Sequence, residues 1–323
     1  MNVIDTHHHF LPPRYVDLVG EDAIAGLLVS GRVPEWSAEK SIEAMDRNSI
    51  DLAVLSLSSP GVCTVSPAER ESLARHCNDY AATLMQDNPR RFGSFATLPL
   101  PDIEASLREI DHCSSNLRCD GFCLLTNYAG LYLGDDVFAP ILQELDRRSA
   151  IVFVHPAMPD PQAASLGLPA ASLEFPFDTT RTIAGMLFNG TLARYRNVQF
   201  LFSHAGGAIP FLAARLARLE TLDRFKRNAP DGVIAELRRL YFDVALSVDS
   251  YTLPGLLRFA KPDHVVFGSD YPHAGPVIID KALDTLRAHE PGADTLAAIL
   301  RSNAISLLQR KRLTVDLPTT AST

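Results

Sequence analysis

A single-domain (β/α)8 barrel is the fold class that this sequence predicts, and three observations lead to it. Eight short apolar, β-branched segments alternate along the chain with amphipathic segments of helical period. Those apolar segments are nearly continuous, which is typical of parallel strands that are covered by helices. A length of 323 residues with 46% hydrophobic residues suits one large barrel, although two domains are the alternative by length alone. A doubly wound open sheet is less consistent, since no Gly-x-Gly-x-x-Gly turn follows the first strand.

The predicted elements follow one another in strict alternation. We predict strands at residues 2–8, 51–57, 92–97, 120–125, 150–155, 198–203, 240–246 and 264–269. We predict helices at residues 38–48, 67–87, 102–115, 137–149, 178–195, 207–220, 250–260 and 279–289. Pro67 and Pro140 lie near the beginnings of two of these helices, where the missing backbone N–H of proline is tolerated.

Two long insertions and a tail stand apart from this alternation. Residues 10–37 are Pro-rich and separate the first strand from its helix, and residues 156–177 do the same after the fifth strand. Long loops at the C-terminal ends of strands are where a barrel places its binding site. We expect the barrel to span residues 1–310 and the Thr- and Ser-rich residues 311–323 to form a loose tail.

Composition excludes several classes of partner. The net charge is −8 and the pI about 5.7, with no basic run, which argues against binding to nucleic acid or to an anionic membrane. No signal segment opens the chain and no apolar segment is long enough to span a bilayer. The five cysteines form no Cys-x-x-Cys pair. A reduced, cytoplasmic protein is the expectation.

The chain opens with an apolar strand that ends in three consecutive histidines. Alternate side chains of a strand share a face, so His7 and His9 point the same way and His8 points the other way. Two imidazoles on one face, at the C-terminal end of a strand, are half of a metal site. The alternative is a solvated histidine cluster or the remnant of a purification tag.

Polar residues also end three later strands. His155 follows Ile-Val-Phe-Val, His204 follows Phe-Leu-Phe-Ser, and Asp270 follows Val-Phe-Gly-Ser. Each alone has an alternative, because a terminal histidine is often a hydrogen-bonded edge residue and an aspartate is often a helix N-cap. Strand ends converge on one mouth of a barrel, where imidazoles and a carboxylate together suit Zn²⁺ or Mn²⁺.

These motifs resemble those of a known family. His-x-His (His7, His9), Val-His-Pro (His155), Ser-His-Ala-Gly-Gly (His204) and Phe-Gly-Ser-Asp-Tyr-Pro (Asp270) are similar to those of the metal-dependent amidohydrolase superfamily. The likeness is closest to the branch of aminocarboxymuconate-semialdehyde decarboxylase, which includes decarboxylases of hydroxybenzoates such as 6-methylsalicylate and γ-resorcylate. It runs from about residue 3 to 308 and is specific to the family, not to one substrate.

The resemblance implies a site with one divalent ion, Zn or Mn. Its ligands would be His7, His9, His155 and Asp270. His204 would stay off the metal and act with Asp270 as a catalytic residue, as a polarising or proton-transfer group. Binuclear members bridge two ions with a carbamylated lysine that ends strand four, and the segment 121–127 here has no lysine.

The resemblance also implies that arginines bind a small-molecule carboxylate. Arg215 lies eleven residues after His204, the spacing of an arginine that reaches the substrate in a neighbouring subunit, which implies a homodimer. Arg32 lies in the first insertion, from which relatives recruit a second arginine. From the sequence itself, Arg181 is a further candidate for a substrate oxygen. The alternative for Arg181 and Arg215 is an ordinary solvated helix arginine.

Three aromatic residues are candidates for the walls of the pocket. Phe175 and Phe177 lie in the second insertion, and Trp36 is the only tryptophan of the chain. Flat apolar side chains suit an aromatic substrate ring. Ordinary loop packing is the alternative for both phenylalanines.

The expected reaction is loss of CO2 from a small aromatic acid, an o-hydroxybenzoate such as 6-methylsalicylate. The ring carbon that carries the carboxylate must be protonated before CO2 can leave easily, and we expect Asp270 to deliver that proton beside His204. Hydrolysis of a lactone or amide by a metal-activated water is the alternative reaction. A metal-binding protein without enzymatic activity is the third class.

Overall fold

Eight parallel strands form one sheet in the computed structural model, which describes residues 2–159, 167–289 and 292–309. Their order in the sheet follows their order in the chain. The strands are β1 (Val3–His9), β2 (Ile50–Ser56), β3 (Phe92–Thr97), β4 (Gly121–Leu125), β7 (Ile151–His155), β8 (Gln199–Phe202), β9 (Tyr241–Asp243) and β10 (Val265–Val266). A short hairpin of β5 (Asn127–Tyr128) and β6 (Leu131–Tyr132) stands apart from the sheet.

The last strand returns to the first and nearly closes the barrel. The backbone N–H of Thr6 donates to the carbonyl of Phe267 over 3.0 Å, and that of Asp270 donates to the carbonyl of His7 over 2.9 Å. The predicted strand 264–269 therefore pairs as a regular strand only at 265–266, because the chain beyond it bends toward β1. The (β/α)8 architecture is confirmed.

Helices cover the outside of the sheet. They are α1 (Pro13–Val19), α2 (Glu21–Ala25), α3 (Ala38–Arg47), α4 (Pro67–Asp87), α5 (Ile103–His112), α6 (Ala139–Arg147), α7 (Glu174–Phe188), α8 (Thr191–Arg194), α9 (Ile209–Ala217), α10 (Asp223–Lys226), α11 (Val233–Leu237), α12 (Leu253–Phe259), α13 (Pro276–Ala288), α14 (Ala293–Ala297) and α15 (Asn303–Leu308). Pro67 and Pro140 lie in first turns, as predicted. No helix of the described residues is long and apolar enough to cross a membrane.

The helix predicted at 178–195 is wrong in its bounds. It begins four residues earlier, at Glu174, and ends at Phe188. Gly190, with a φ of +86°, then separates it from the short α8, because a left-handed residue ends an α-helix. The tail predicted at 311–323 and residues 160–166 of the second insertion lie outside the described residues.

An apolar layer fills the barrel beneath its mouth. Ile4, Phe95, Phe153 and Leu201 belong to one buried cluster inside the sheet. A register shift in β1 between Asp5 and His8 inserts one extra residue against β2. Such a bulge switches the face to which the following side chains point, so Ile4 and His7 both point inward despite their odd spacing.

Candidate metal centre and active site

Four side chains converge at the mouth of the barrel. His7 and His9 come from β1, His155 ends β7, and Asp270 follows β10. All four are buried, and their potential ligand atoms lie within 4.8 Å of one another. The Nε2 atoms of His7 and His9 are 2.9 Å apart, and Asp270 Oδ1 is 3.2 Å from each. The structure therefore brings together the four residues that the sequence predicts as ligands.

A hydrogen bond at the second nitrogen orients each of the three imidazoles. His7 Nδ1 lies 2.8 Å from Asp243 Oδ2. The Nδ1 atoms of His9 and His155 lie 3.1 and 2.9 Å from backbone carbonyl oxygens. A carbonyl or carboxylate oxygen only accepts, so Nδ1 is the protonated nitrogen and Nε2 offers its lone pair to the cluster. Metal-bound histidines are oriented in this way.

The chemistry of this donor set fits a divalent ion. Asp270 Oδ1 is buried, and it has no hydrogen-bond partner among the described residues. Two imidazole Nε2 atoms lie 3.2 Å from it, and such a set of acceptors is stable only when a cation, either a proton or a metal ion, lies between them. Three imidazole nitrogens and one carboxylate oxygen suit Zn²⁺ or Mn²⁺.

Burial and neighbouring charge set the protonation of the cluster. Burial lowers the pKa of His7, but the carboxylates of Asp243 and Asp270 outweigh it and raise the pKa to about 10. Burial lowers the pKa of His9 to about 3 and holds that of His155 well below its usual range. Burial would raise the pKa of Asp270, but His7 and the other imidazoles hold it well below the usual range. Without an ion, His7 thus carries a second proton, on Nε2, opposite an ionised Asp270.

His8 points away from the cluster, as strand alternation predicts. Its Nδ1 lies 2.9 Å from Asp5 Oδ2 and its Nε2 lies 2.7 Å from Ser41 Oγ. Asp5 Oδ1 also accepts from the backbone N–H of Ser269 over 2.9 Å. His8 therefore stabilises the carboxylate that fixes the residue before Asp270.

His204 lies beside the ligand cluster without joining it. Its Nε2 is 3.7 Å from Asp270 Oδ2, and its backbone N–H donates to Asp243 Oδ1 over 2.8 Å. Its Nδ1 is buried and has no partner among the described residues. His204 thus lies next to the four predicted ligands, and its role in proton transfer stays a prediction.

The backbone around His204 and Asp270 is left-handed. His204 and Asp270 have φ angles of +53° and +61°, and the positive φ continues from His204 through Gly207. At Gly207 a Cβ would lie 2.1 Å from the carbonyl oxygen of Pro176, so only glycine fits there. Residues other than glycine rarely adopt a positive φ. Those that do are concentrated at functional sites.

Of the three predicted wall residues, Phe175 reaches the cluster. It is buried in the first turn of α7, and its ring centroid is 6.0 Å from that of His155. Phe177 is 44% exposed. Both lie in α7 and not in the insertion loop, which corrects the loop assignment of the sequence. Trp36 packs edge-on against Phe10, with ring centroids 6.2 Å apart.

The three candidate arginines lie at the surface of the chain. Arg32 and Arg215 are exposed. The Arg181 side chain is 49% exposed, and its guanidinium lies 4.0 Å from Asp178. Their roles as carboxylate ligands stay predictions.

Sequence reasoning missed Asp243 and His273. Asp243 joins His7 to the turn that carries His204, yet the strand prediction for 240–246 placed it inside a strand. The signal that could have identified Asp243 is a single carboxylate within the apolar segment Leu-Tyr-Phe-Asp-Val-Ala-Leu. His273 lies three residues after Asp270, and its ring centroid is 5.1 Å from that of His9. The signal that could have identified His273 is a histidine directly after the Asp-Tyr-Pro motif of Asp270.

The fold and the site together define a (β/α)8 barrel that carries, among its described residues, one cluster of potential metal ligands at the C-terminal ends of its strands. A family model described as amidohydrolase matches residues 4–310, and the chain belongs to this family. Decarboxylase yanB of Aspergillus niger is 37% identical over 98% of this chain and 90% of its own length. The 6-methylsalicylic acid decarboxylase acuB of Aspergillus aculeatus is 36% identical over 95% of this chain and 96% of its own.

A solved structure shows the same fold. It is 5-carboxyvanillate decarboxylase from Novosphingobium aromaticivorans, complexed with manganese and 4-hydroxy-3-methoxy-5-nitrobenzoic acid. It superposes with a TM-score of 0.85 at 22% identity and covers 95% of this chain and 96% of its own.

Proposed function

We propose that this protein is a metal-dependent, non-oxidative decarboxylase of an o-hydroxybenzoate such as 6-methylsalicylate. One observation carries the proposal: the two oxygens of Asp270 face different groups. Oδ1 lies 3.2 Å from the imidazoles of two predicted ligands, while Oδ2 lies 3.7 Å from the Nε2 of His204, which is not among the four converging residues. The similarity to a 6-methylsalicylic acid decarboxylase supports the choice of substrate.

The chain's own residues supply the proton transfer. A bound divalent ion would act as a Lewis acid on the carboxylate and the adjacent phenolic oxygen. Asp270 Oδ2 accepts the phenolic proton and delivers it to the ring carbon that carries the carboxylate, which gives a ketone-like tautomer. The C–C bond then breaks, CO2 leaves, and its electron pair restores the aromatic ring as a phenolate. The low pKa of Asp270 keeps it ionised before the first step and makes its protonated form a strong donor to carbon in the second, and His204 shares the proton with it.

The candidates from the sequence are the proposed substrate contacts. Phe175 would pack against the aromatic ring, with Phe177 and Trp36 as further walls. Arg32 and Arg181 are the proposed carboxylate contacts within the chain.

A homodimer with Arg215 at its interface is part of the proposal. Arg215 is exposed on α9, one turn from Phe211, which is 87% exposed. Residues four apart lie on the same face of a helix, so an apolar ring and a cation are presented together to a second copy. We propose that Arg215 reaches the partner's substrate, and that the protein acts in the cytoplasm.

The identity of the ion is left as Zn or Mn. Both accept three imidazoles and a carboxylate. Manganese is the ion in the similar structure of 5-carboxyvanillate decarboxylase. Reconstitution of the metal-free protein with each ion, followed by activity measurement, would decide between them.

Product analysis tests the proposed reaction. The metal-loaded protein is incubated with a panel of hydroxybenzoates, lactones and amides in ¹⁸O-labelled water, and CO2 and labelled acids are measured. We expect CO2 from 6-methylsalicylate and no acid that has gained solvent oxygen. The protein stripped of metal and His204→Ala are the controls, and both should release little CO2. Opening of a lactone or amide without any CO2 release would show a hydrolase instead.

A further inference from the structure

The two ring nitrogens of His273 lie in an unusual environment. Its ring stands against that of His9, with centroids 5.1 Å apart and planes tilted by 44°. Both of its ring nitrogens are shielded from solvent, and neither has a hydrogen-bond partner among the described residues. Buried polar groups without a partner are rare in native proteins because they lose their hydration without compensation. His273 therefore lacks the polar partner that buried ring nitrogens usually have.

The neighbouring imidazoles do not share this feature. His7, His9 and His155 each use Nδ1 in a hydrogen bond within the protein, which fixes the other nitrogen toward the ion. His8 uses both of its nitrogens. His273 is not one of the residues whose ligand atoms converge within 4.8 Å. It lacks both the anchoring bond and the position of a metal ligand, so its task differs from theirs.

We propose that His273 is a substrate-binding residue that donates a hydrogen bond to an oxygen of the bound o-hydroxy acid. This inference rests on the proposed function. A neutral imidazole carries one donor and one acceptor nitrogen, and an o-hydroxy acid offers acceptor oxygens on its carboxylate and a hydroxyl group beside it. The acceptor is either the carboxylate or the adjacent hydroxyl, and the two are separable by experiment.

Two variants of His273 and one matched control test the proposal. His273→Phe keeps a flat ring against His9 and removes both nitrogens, whereas His273→Gln returns a side-chain donor. His264→Phe is the control, because His264 stacks on Tyr241 with centroids 4.1 Å apart at the start of β10, away from the mouth. Metal content and KM and kcat for CO2 release from 6-methylsalicylate are measured for each protein. Calorimetry gives the Kd of salicylate and of benzoate, which lacks the hydroxyl group.

We expect His273→Phe to keep its metal while KM and the Kd of salicylate rise by about tenfold to about 100-fold, as for a lost hydrogen bond to a charged acceptor. His273→Gln should recover part of this loss, and His264→Phe should match the wild type. A weaker binding of salicylate alone assigns the bond to the hydroxyl, and a weaker binding of both acids assigns it to the carboxylate.

Three results would overturn the proposal. They are unchanged KM and Kd values in the folded His273 variants, loss of metal from both of them, or a wild-type protein that binds neither acid. Circular dichroism checks folding, and His273→Gln alone decides the matter when His273→Phe does not fold. A wild type that binds salicylate but releases no CO2 refutes the proposed function and still leaves the Kd comparison for His273.

Discussion

Replacing Asp243 by asparagine should weaken metal binding without touching a metal ligand. Asp243 Oδ1 accepts two backbone N–H groups, those of His204 and Ala245, over 2.8 and 3.0 Å. The carbonyl oxygen of an asparagine would stay with those two donors, and its NH2 group would then face His7 Nδ1. Nδ1 must accept in that pairing, so the proton of His7 moves to Nε2, the atom that would hold the ion.

The expected loss is about 100-fold in metal affinity, or about 2.7 kcal/mol. We place it at the upper end of the usual range because Asp243 and His7 are both fully buried, so no water can replace the lost contact. Competition with a chromogenic chelator measures the Kd of Zn²⁺ or Mn²⁺. Ser41→Ala is the control, since it removes a buried hydrogen bond to His8, which faces away from the cluster. An Asp243→Asn protein that binds metal within about twofold of the control would refute this account.

The remaining predictions concern the ligands, the protons and the backbone of the site. Asp270→Ala should lose both metal and CO2 release, whereas His204→Ala should keep its metal and lose turnover; metal analysis beside activity measurement checks both. Because the pKa of His7 is about 10, despite burial, the metal-free protein carries a proton there at neutral pH. Binding of the ion displaces that proton, so metal affinity should rise about tenfold per pH unit from pH 7 toward pH 10, and calorimetry in two buffers should find about one proton released. Gly207→Ala should destabilise the protein by about 3 kcal/mol or more in urea denaturation, since the new Cβ meets a backbone carbonyl at 2.1 Å. Gly255→Ala in α12, where a Cβ meets nothing within 4 Å, should instead stabilise it by about 1 kcal/mol.

The ligands could be predicted because barrel topology converts separate strand ends into neighbours. His155 and Asp270 are 115 positions apart in the chain, yet each follows an apolar strand whose period the sequence shows. Strand alternation likewise separated His8 from His7 and His9. The bulge in β1 could not be predicted, because it depends on how β1 pairs with β2.

The sequence did not predict the roles of Asp243 and His273, because both lie at positions that the hydrophobic periodicity of strands and helices does not define. Asp243 ends a strand of three residues, and the apolar residues beyond it extended the predicted strand past it. His273 lies in a loop whose path is set by the contacts of Asp270 and Tyr271 with β1. The pocket walls depend on the start of α7, which no cap residue marks in the sequence.

The left-handed backbone from His204 to Gly207, together with that of Asp270, limits how this enzyme can be redesigned. Most L-residues pay about 1–2 kcal/mol at such positions, and β-branched ones more. In a library that randomises these residues to alter selectivity, most variants would therefore be destabilised, and their selectivity could not be measured. Phe175 and Phe177 have ordinary helical backbone in α7. A library of the same size that randomises these two residues would therefore contain far more folded proteins.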